Sequence, residues 1–155
     1  MTLKIGDKAP DFRLFSSAKK EVCLADYHGK TLIIHFFPVA FTGTCTKQLC
    51  TLRDSITLYQ NDKSDVIAIS IDSLFVLAKY KEEQNLNFTL LSDFNKVASK
   101  DYGVLYNEFI FGMKGVAKRS AFVIDKTGTI RYAEVLESAG ELPDFEAIDK
   151  VLSQL

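Results

Sequence analysis

The clearest succession of structural elements in the chain lies in residues 31–50, which read TLIIHFFPVAFTGTCTKQLC. The first part, Thr31–Phe37, is a continuous apolar and β-branched run, typical of a strand buried on both faces of a parallel or mixed sheet. Pro38 ends this strand. From about Thr44 to Tyr59, apolar side chains recur at spacings of three and four residues, which predicts a helix with one apolar face. The stretch therefore predicts a buried strand, a short loop and a helix with Cys45 in its first turn.

Segments on both sides of this stretch alternate between predicted strands and helices. Before it lies a predicted hairpin of two short strands, Phe12–Leu14 and Glu21–Leu24. The predicted elements after it are a strand at Val66–Ile71, a helix capped by Asp72 or Ser73 that ends near Gln84, a strand at Phe88–Leu91, a helix over 95–102, a hairpin of Ala121–Ile124 and Ile130–Val135, and a helix over 143–152. This pattern predicts the α/β class, with a mixed central sheet and helices on both faces. Its order is that of the thioredoxin fold with an added N-terminal β-hairpin.

Length and composition narrow the function classes. A chain of 155 residues and 17.4 kDa fits a single domain, residues 1–155. Its 19 basic and 20 acidic residues give a net charge of −1, which argues against nucleic acid or a membrane surface as a partner. No apolar run approaches the roughly 18–20 residues that span a bilayer, and residues 1–6 lack the apolar core of a secretory signal. We therefore expect a cytoplasmic protein.

Cys45 is the candidate reactive thiol among the three cysteines of the chain. An odd number of cysteines, in a chain large enough to fold without disulfides, does not indicate a disulfide framework. A helix N-terminus carries about half a positive charge and unpaired N–H groups, which together stabilise a thiolate over a thiol. Thr42 can bring a hydroxyl to the same point. A helical cysteine is more often a core residue, but a position after a buried strand, behind Pro38 and Thr42, favours a reactive one.

The same stretch resembles a known family. The pattern Pro38-x-x-x-Thr42-x-x-Cys45 matches the Pro-x-x-x-Thr-x-x-Cys signature of peroxiredoxins. Further matches lie in order along the chain: GDKAPDF at 6–12, Gln48 at the place of the family's Glu or Gln, YGV at 102–104, and RSAFVID at 119–125. Within the family, the chain most resembles the bacterioferritin-comigratory-protein branch and its one-cysteine relatives.

The resemblance implies a thiol-dependent peroxidase that reduces hydrogen peroxide and organic hydroperoxides. Cys45 is then the peroxidatic cysteine, whose thiolate attacks the peroxide and becomes a sulfenic acid. Thr42, backbone N–H groups at the helix start and the Arg119 guanidinium are the expected donors to the two peroxide oxygens. Gln48 is expected to support Thr42 or the loop, and Pro38 belongs to the site through the motif. The resemblance implies no cofactor and no metal, and its reductant is thioredoxin or a similar thiol.

Cys50 lies five residues after Cys45. On an α-helix this spacing is about 140° of rotation and about 7.5 Å of rise, which separates the Cα atoms by roughly 8–9 Å. A disulfide tolerates roughly 7 Å, so a bond between the two sulfurs requires the first helical turns to unwind. The resemblance favours Cys50 as a resolving cysteine that forms an intrasubunit disulfide. The alternatives are a one-cysteine cycle, in which an external thiol resolves Cys45, and a spacer role for Cys50.

Competing interpretations remain open at this point. The Cys-x4-Cys spacing disfavours a disulfide oxidoreductase of the thioredoxin kind, which uses Cys-x-x-Cys. His35 lies inside a predicted buried strand, which indicates a satisfied core histidine rather than a copper ligand. A redox sensor that uses Cys45 as a switch, without turnover, is the alternative outside enzymes. Cys23 is expected to be a packing residue. Phe41 and Phe109–Phe111 can form a dimer surface or pack on their own domain, so monomer and homodimer are both possible.

Overall fold

The structure is a computed structural model that describes residues 3–155. Its strands are β1 Arg13–Ser16, β2 Glu21–Cys23, β3 Thr31–Phe36, β4 Ser64–Ser70, β5 Thr89–Ser92, β6 Ser120–Ile124 and β7 Ile130–Val135. Its α-helices are α1 Gly43–Asp54, α2 Ile56–Tyr59, α3 Leu74–Gln84, α4 Val97–Asp101 and α5 Phe145–Ser153. Short 3₁₀ turns lie at Leu24–Tyr27 and Ile110–Gly112. No helix within residues 3–155 is long and apolar enough to cross a membrane.

The seven strands form one mixed sheet in the order β2-β1-β5-β4-β3-β6-β7. The three central strands β5, β4 and β3 are parallel, and all other pairs are antiparallel. The β1–β2 hairpin is the added N-terminal element, and it extends the sheet beyond β5. The predicted α/β class with a mixed sheet and an N-terminal hairpin is confirmed.

Apolar side chains cover both faces of the sheet, because successive residues of a strand point to opposite sides. One cluster joins β3 to α1, α3 and α5 through Ile33, Leu49, Leu77 and Ile148. The other joins β3 to α4 and the N-terminal segment through Ile34, Ala98 and Phe12. Helices therefore pack on both faces, as predicted, and α1 lies on the face to which the odd-numbered residues of β3 point.

Two predicted helices have different bounds in the structure. The helix expected from about 44 to 59 is divided into α1 and α2 at Ser55, whose backbone is not helical (φ −121°, ψ 30°). Leu52 and Tyr59 are buried on either side of the break, so the apolar spacing does not reveal it. The helix expected over 95–102 begins at Val97, because Lys96 is left-handed (φ 64°) and the buried Asp93 carboxylate accepts hydrogen bonds from the first N–H groups of α4.

Candidate active site

The loop between β3 and α1 is attached to the neighbouring parallel strand. The N–H of Phe37 donates to the carbonyl of Ile69 at 3.0 Å, and the N–H of Ala40 donates to a carboxylate oxygen of Asp72 at 2.8 Å. Pro38, within this loop, is buried. Phe41, with φ 65°, has a left-handed backbone that a non-glycine residue adopts only when its surroundings impose it. These contacts define where α1 begins.

Cys45 lies in the first turn of α1 and is 1% exposed. The N-cap of the helix is Thr42, whose backbone is extended (φ −111°, ψ 155°). The Thr42 hydroxyl is exposed and donates to the carbonyl of Val39 at 2.8 Å. The Thr42 hydroxyl therefore binds the loop backbone, and the Cys45 sulfur receives its hydrogen bond from another residue.

Arg119 provides that hydrogen bond, from immediately before β6. Its Nη1 donates to Cys45 Sγ at 3.3 Å and to Gln48 Oε1 at 2.8 Å, and its Nη2 donates to the carbonyl of Ala139 at 3.0 Å. The arginine is 1% exposed. A guanidinium buried this deeply is costly unless other groups compensate it, and the Cys45 sulfur is one of the three acceptors that it contacts.

Gln48 lies one turn after Cys45 on the inner face of α1 and is fully buried. Its Oε1 accepts the hydrogen bond from Arg119, and its Nε2 lies 2.9 Å from His35 Nδ1. The expectation that Gln48 supports Thr42 or the loop is wrong, because both ends of its amide bind other residues. Its side chain extends toward the sheet, because the inner face of α1 packs on β3, and there it meets Arg119 and His35.

His35 is fully buried on β3, and only one of its ring nitrogens is paired. Nε2 has no hydrogen-bond partner within residues 3–155. The ring stacks on Phe145 of α5 with centroids 5.7 Å apart, and burial lowers the pKa of His35 to about 3. His35 is a core histidine, as predicted, but it is not a fully satisfied one. No group of three His, Cys, Asp or Glu side chains in the described chain could hold a metal ion.

The other two cysteines are half-buried thiols. Cys50 lies on the same unbroken helix as Cys45, and its Sγ donates to Gln84 Oε1 of α3 at 3.8 Å. An intact α1 keeps the two sulfurs too far apart to bond, by the helical geometry given above. Cys23 ends β2 and donates its backbone N–H to the Asp26 carboxylate.

A model of the AhpC/TSA family matches residues 5–133. The chain belongs to this family. Among its relatives, the putative peroxiredoxin bcp of Buchnera aphidicola is 40% identical over 131 residues, 83% of this chain and 82% of that protein. Alkyl hydroperoxide reductase E of Mycobacterium tuberculosis is 39% identical over 145 residues, 92% of this chain and 91% of that protein.

Solved structures of the family have the same fold. Peroxidoxin BcpB from Mycobacterium tuberculosis has a TM-score of 0.81 at 27% identity, with 97% of this chain and 95% of that chain covered. PrxQ from Xylella fastidiosa has a TM-score of 0.87 at 21% identity, with 99% and 98% covered. The predicted peroxiredoxin family and thioredoxin-like fold are confirmed. As an AhpC/TSA protein, the chain is a thiol peroxidase, an oxidoreductase that takes a hydroperoxide as substrate and a thiol as reductant.

Three contacts near the site were not predicted from the sequence of this AhpC/TSA protein. Of the two predicted caps of α3, Asp72 and Ser73, the structure confirms Ser73, and the Asp72 carboxylate attaches the site loop instead. A polar residue just after a parallel strand, at the same sheet edge as the loop, was the available signal. The Ala139 carbonyl that binds Arg119 belongs to an irregular segment and gave no signal. His35 was noticed, but its contact with Gln48 was not predicted.

Proposed function

We propose that Cys45 is the peroxidatic cysteine of this thiol peroxidase and that Arg119 stabilises both its thiolate and the transition state. The observation that carries this proposal is the hydrogen bond of 3.3 Å from the Arg119 guanidinium to Cys45 Sγ, between two groups that are each 1% exposed. The position of the sulfur in the first turn of α1 adds the helix dipole to the same effect.

In the first step, the Cys45 thiolate attacks the terminal oxygen of the hydroperoxide. An S–O bond forms, the O–O bond breaks, and the sulfur is oxidised to a sulfenic acid that keeps the hydroperoxide hydrogen. The alkoxide or hydroxide that leaves takes up a proton from solvent. Negative charge moves onto the two oxygens during this step, so donors fixed beforehand accelerate it. Arg119 and the free N–H groups of the first turn of α1 are such donors.

Thr42 and Pro38 complete the proposed site. The Thr42 hydroxyl is exposed at the start of the helix, where it can turn from the Val39 carbonyl toward an incoming peroxide oxygen. Pro38 is buried within the loop and contributes no N–H that would need a partner there. Both residues therefore act by shape and hydrogen bonding, and neither is oxidised or protonated in the cycle.

We assign Cys50 as the resolving cysteine. Its thiolate attacks Sγ of the Cys45 sulfenic acid, an S–S bond forms, and hydroxide leaves and becomes water. A thioredoxin-like dithiol then reduces the disulfide by exchange. Because α1 is intact in the reduced state, this step requires the turns between Cys45 and Cys50 to unwind.

A one-cysteine cycle is the second candidate. Contacts with α3 hold α1 in its helical state. Thr46 Oγ1 lies 2.8 Å from Tyr80 Oη, and Arg53 Nη1 donates to the Gln84 carbonyl at 2.6 Å. If these contacts outlast the sulfenic acid, an external thiol resolves Cys45 instead. A redox sensor built on Cys45 differs from both cycles, because it reacts once with peroxide and does not turn over with a reductant.

We further propose that the chain acts as a single cytoplasmic domain without a cofactor, as a monomer or a homodimer. Phe41, 48% exposed, and Phe111, 94% exposed, are among the exposed apolar side chains that a second copy could cover. Phe41 is also in contact with its own domain, 4.9 Å from the Tyr80 ring centroid. Sedimentation of wild type and Phe111→Ser distinguishes the two states.

Mass spectrometry of the reduced protein after one equivalent of hydrogen peroxide tests the proposal. Wild type is expected to lose two hydrogens, as a Cys45–Cys50 disulfide, and Cys50→Ser to gain one oxygen on Cys45. Cys23→Ser is the matched control and should behave as wild type. Cys45→Ser should neither gain oxygen nor consume peroxide with a thioredoxin system. A Cys45→Ser variant that still turns over would refute the assignment of Cys45, and unoxidised Cys50 in treated wild type would refute the resolving role.

A further inference from the structure

The hydrogen bonds of Gln48 fix the orientation of its amide. Arginine has only donors, so the atom of Gln48 that faces Arg119 Nη1 must be the amide oxygen. The NH2 group of the amide consequently faces His35 Nδ1, 2.9 Å away. Since an amide NH2 only donates, Nδ1 must accept, and the single ring proton of a neutral His35 is on Nε2.

His35 is an unexpected residue for its position. Its neighbours on the same face of β3, Ile33 and Phe37, are apolar members of the core, whereas His35 is polar and fully buried. The Nε2–H is buried without a partner within the described residues, which is unfavourable for folding. Burial also lowers the pKa of His35 to about 3, so the ring remains neutral and Nδ1 remains an acceptor at neutral pH.

We propose that His35 is a positioning residue for the peroxide step: its Nδ1 holds the Gln48 amide with Oε1 toward Arg119. Gln48 in turn holds Arg119 Nη1, which donates to both Gln48 Oε1 and Cys45 Sγ. The three hydrogen bonds form one buried series from His35 to the reactive sulfur. This inference rests on the proposed function, in which Arg119 activates Cys45.

Loss of the acceptor at position 35 has a specific consequence. Without that acceptor, the buried NH2 group of the Gln48 amide has an unpaired donor, and Arg119 alone holds the amide. The side chain then adopts orientations that satisfy this donor, the hydrogen bond from Arg119 to Oε1 weakens, and the guanidinium shifts away from the sulfur. A glutamate at position 48 has no donor to leave unpaired, and its charge pairs directly with Arg119, so its position does not depend on the residue at 35.

The test is a double-mutant comparison of His35→Phe with and without Gln48→Glu. The rate constant for oxidation of Cys45 by hydrogen peroxide is measured by rapid mixing and acid quench, followed by mass spectrometry. His35→Phe alone should lower it by about three- to tenfold, and in the Gln48→Glu background by no more than about twofold. A similar loss in both backgrounds indicates a merely structural effect and overturns the proposal, as does no loss in either.

Controls separate this inference from folding and from the proposed function. Ile33→Val, which changes packing on the same face of β3 without a hydrogen bond, should keep the wild-type rate. If His35→Phe does not fold, His35→Asn and His35→Leu are compared instead. His35→Asn keeps an oxygen near the position of Nδ1 and should keep the rate of Cys45 oxidation, whereas His35→Leu should lower it. Equal rates in these two variants overturn the proposal. If Cys45→Ser still reduces peroxide, both proposals are refuted. If Cys45→Ser is inactive but His35→Phe reacts at the wild-type rate, only the role of His35 is refuted.

Discussion

Acid should destabilise the folded chain through the buried His35. Burial lowers the pKa of His35 from 6.5 to about 3 in the folded protein. In the unfolded chain the imidazole takes up a proton near its ordinary pKa, so between these two values the unfolded state binds more protons than the folded state. The stability that comes from neutral His35 is therefore present above pH 6.5 and is lost as the pH falls toward 3.

The size of this loss follows from the two pKa values. Between about pH 6.5 and about pH 4.5, proton uptake by the unfolded chain lowers the free energy of unfolding by about 2 kcal/mol. Domains unfold with free energies of about 5–15 kcal/mol. The His35 contribution is therefore a measurable fraction of the total.

Urea unfolding at the two pH values, followed by far-UV circular dichroism because the chain has no tryptophan, measures this contribution. Wild type and the matched control His28→Phe, whose histidine is exposed, should lose the same free energy of unfolding on acidification. His35→Phe should lose about 2 kcal/mol less, whatever its stability at pH 6.5. An equal pH dependence in wild type and His35→Phe would refute the reasoning, because a buried neutral histidine cannot be silent in this range.

Three further outcomes concern the reaction. Arg119→Ala should slow peroxide reduction by about 10²–10³, as loss of one oxyanion donor does, with an unchanged circular dichroism spectrum; an unchanged rate would contradict its assigned role. On oxidation, hydrogen exchange at residues 46–53 should speed up in wild type but not in Cys50→Ser, because disulfide formation unwinds these turns; equal protection in both would favour the one-cysteine cycle. Tyr80→Phe removes the hydrogen bond to Thr46 that attaches α1 to α3, so the disulfide should form about two- to tenfold faster, as followed by acid quench and mass spectrometry; an unchanged rate would show that this bond does not limit unwinding.

Local features of the chain were predictable because they depend on neighbours in sequence. The apolar run of β3, the proline after it and the three-four spacing of α1 place Cys45 at a helix N-terminus without any knowledge of the sheet. Ser73 likewise caps α3 through its own third neighbour, Val76. The ends of helices were less predictable where a buried polar side chain binds the helix backbone. The start of α4 at Val97, for example, is imposed by the buried carboxylate of Asp93.

The electrostatics of the candidate site depend on residues far apart in sequence. Arg119 lies 74 residues from Cys45, and the family signature made it a candidate without showing what it touches. The direction of the Gln48 side chain and the contact with His35 arise only when α1 packs on β3, because a hydrogen bond between a helix and a strand depends on their distance and rotation, which periodicity does not encode. Local sequence was therefore sufficient to locate the reactive sulfur, whereas the groups that hold its charge were defined only by packing across the sheet.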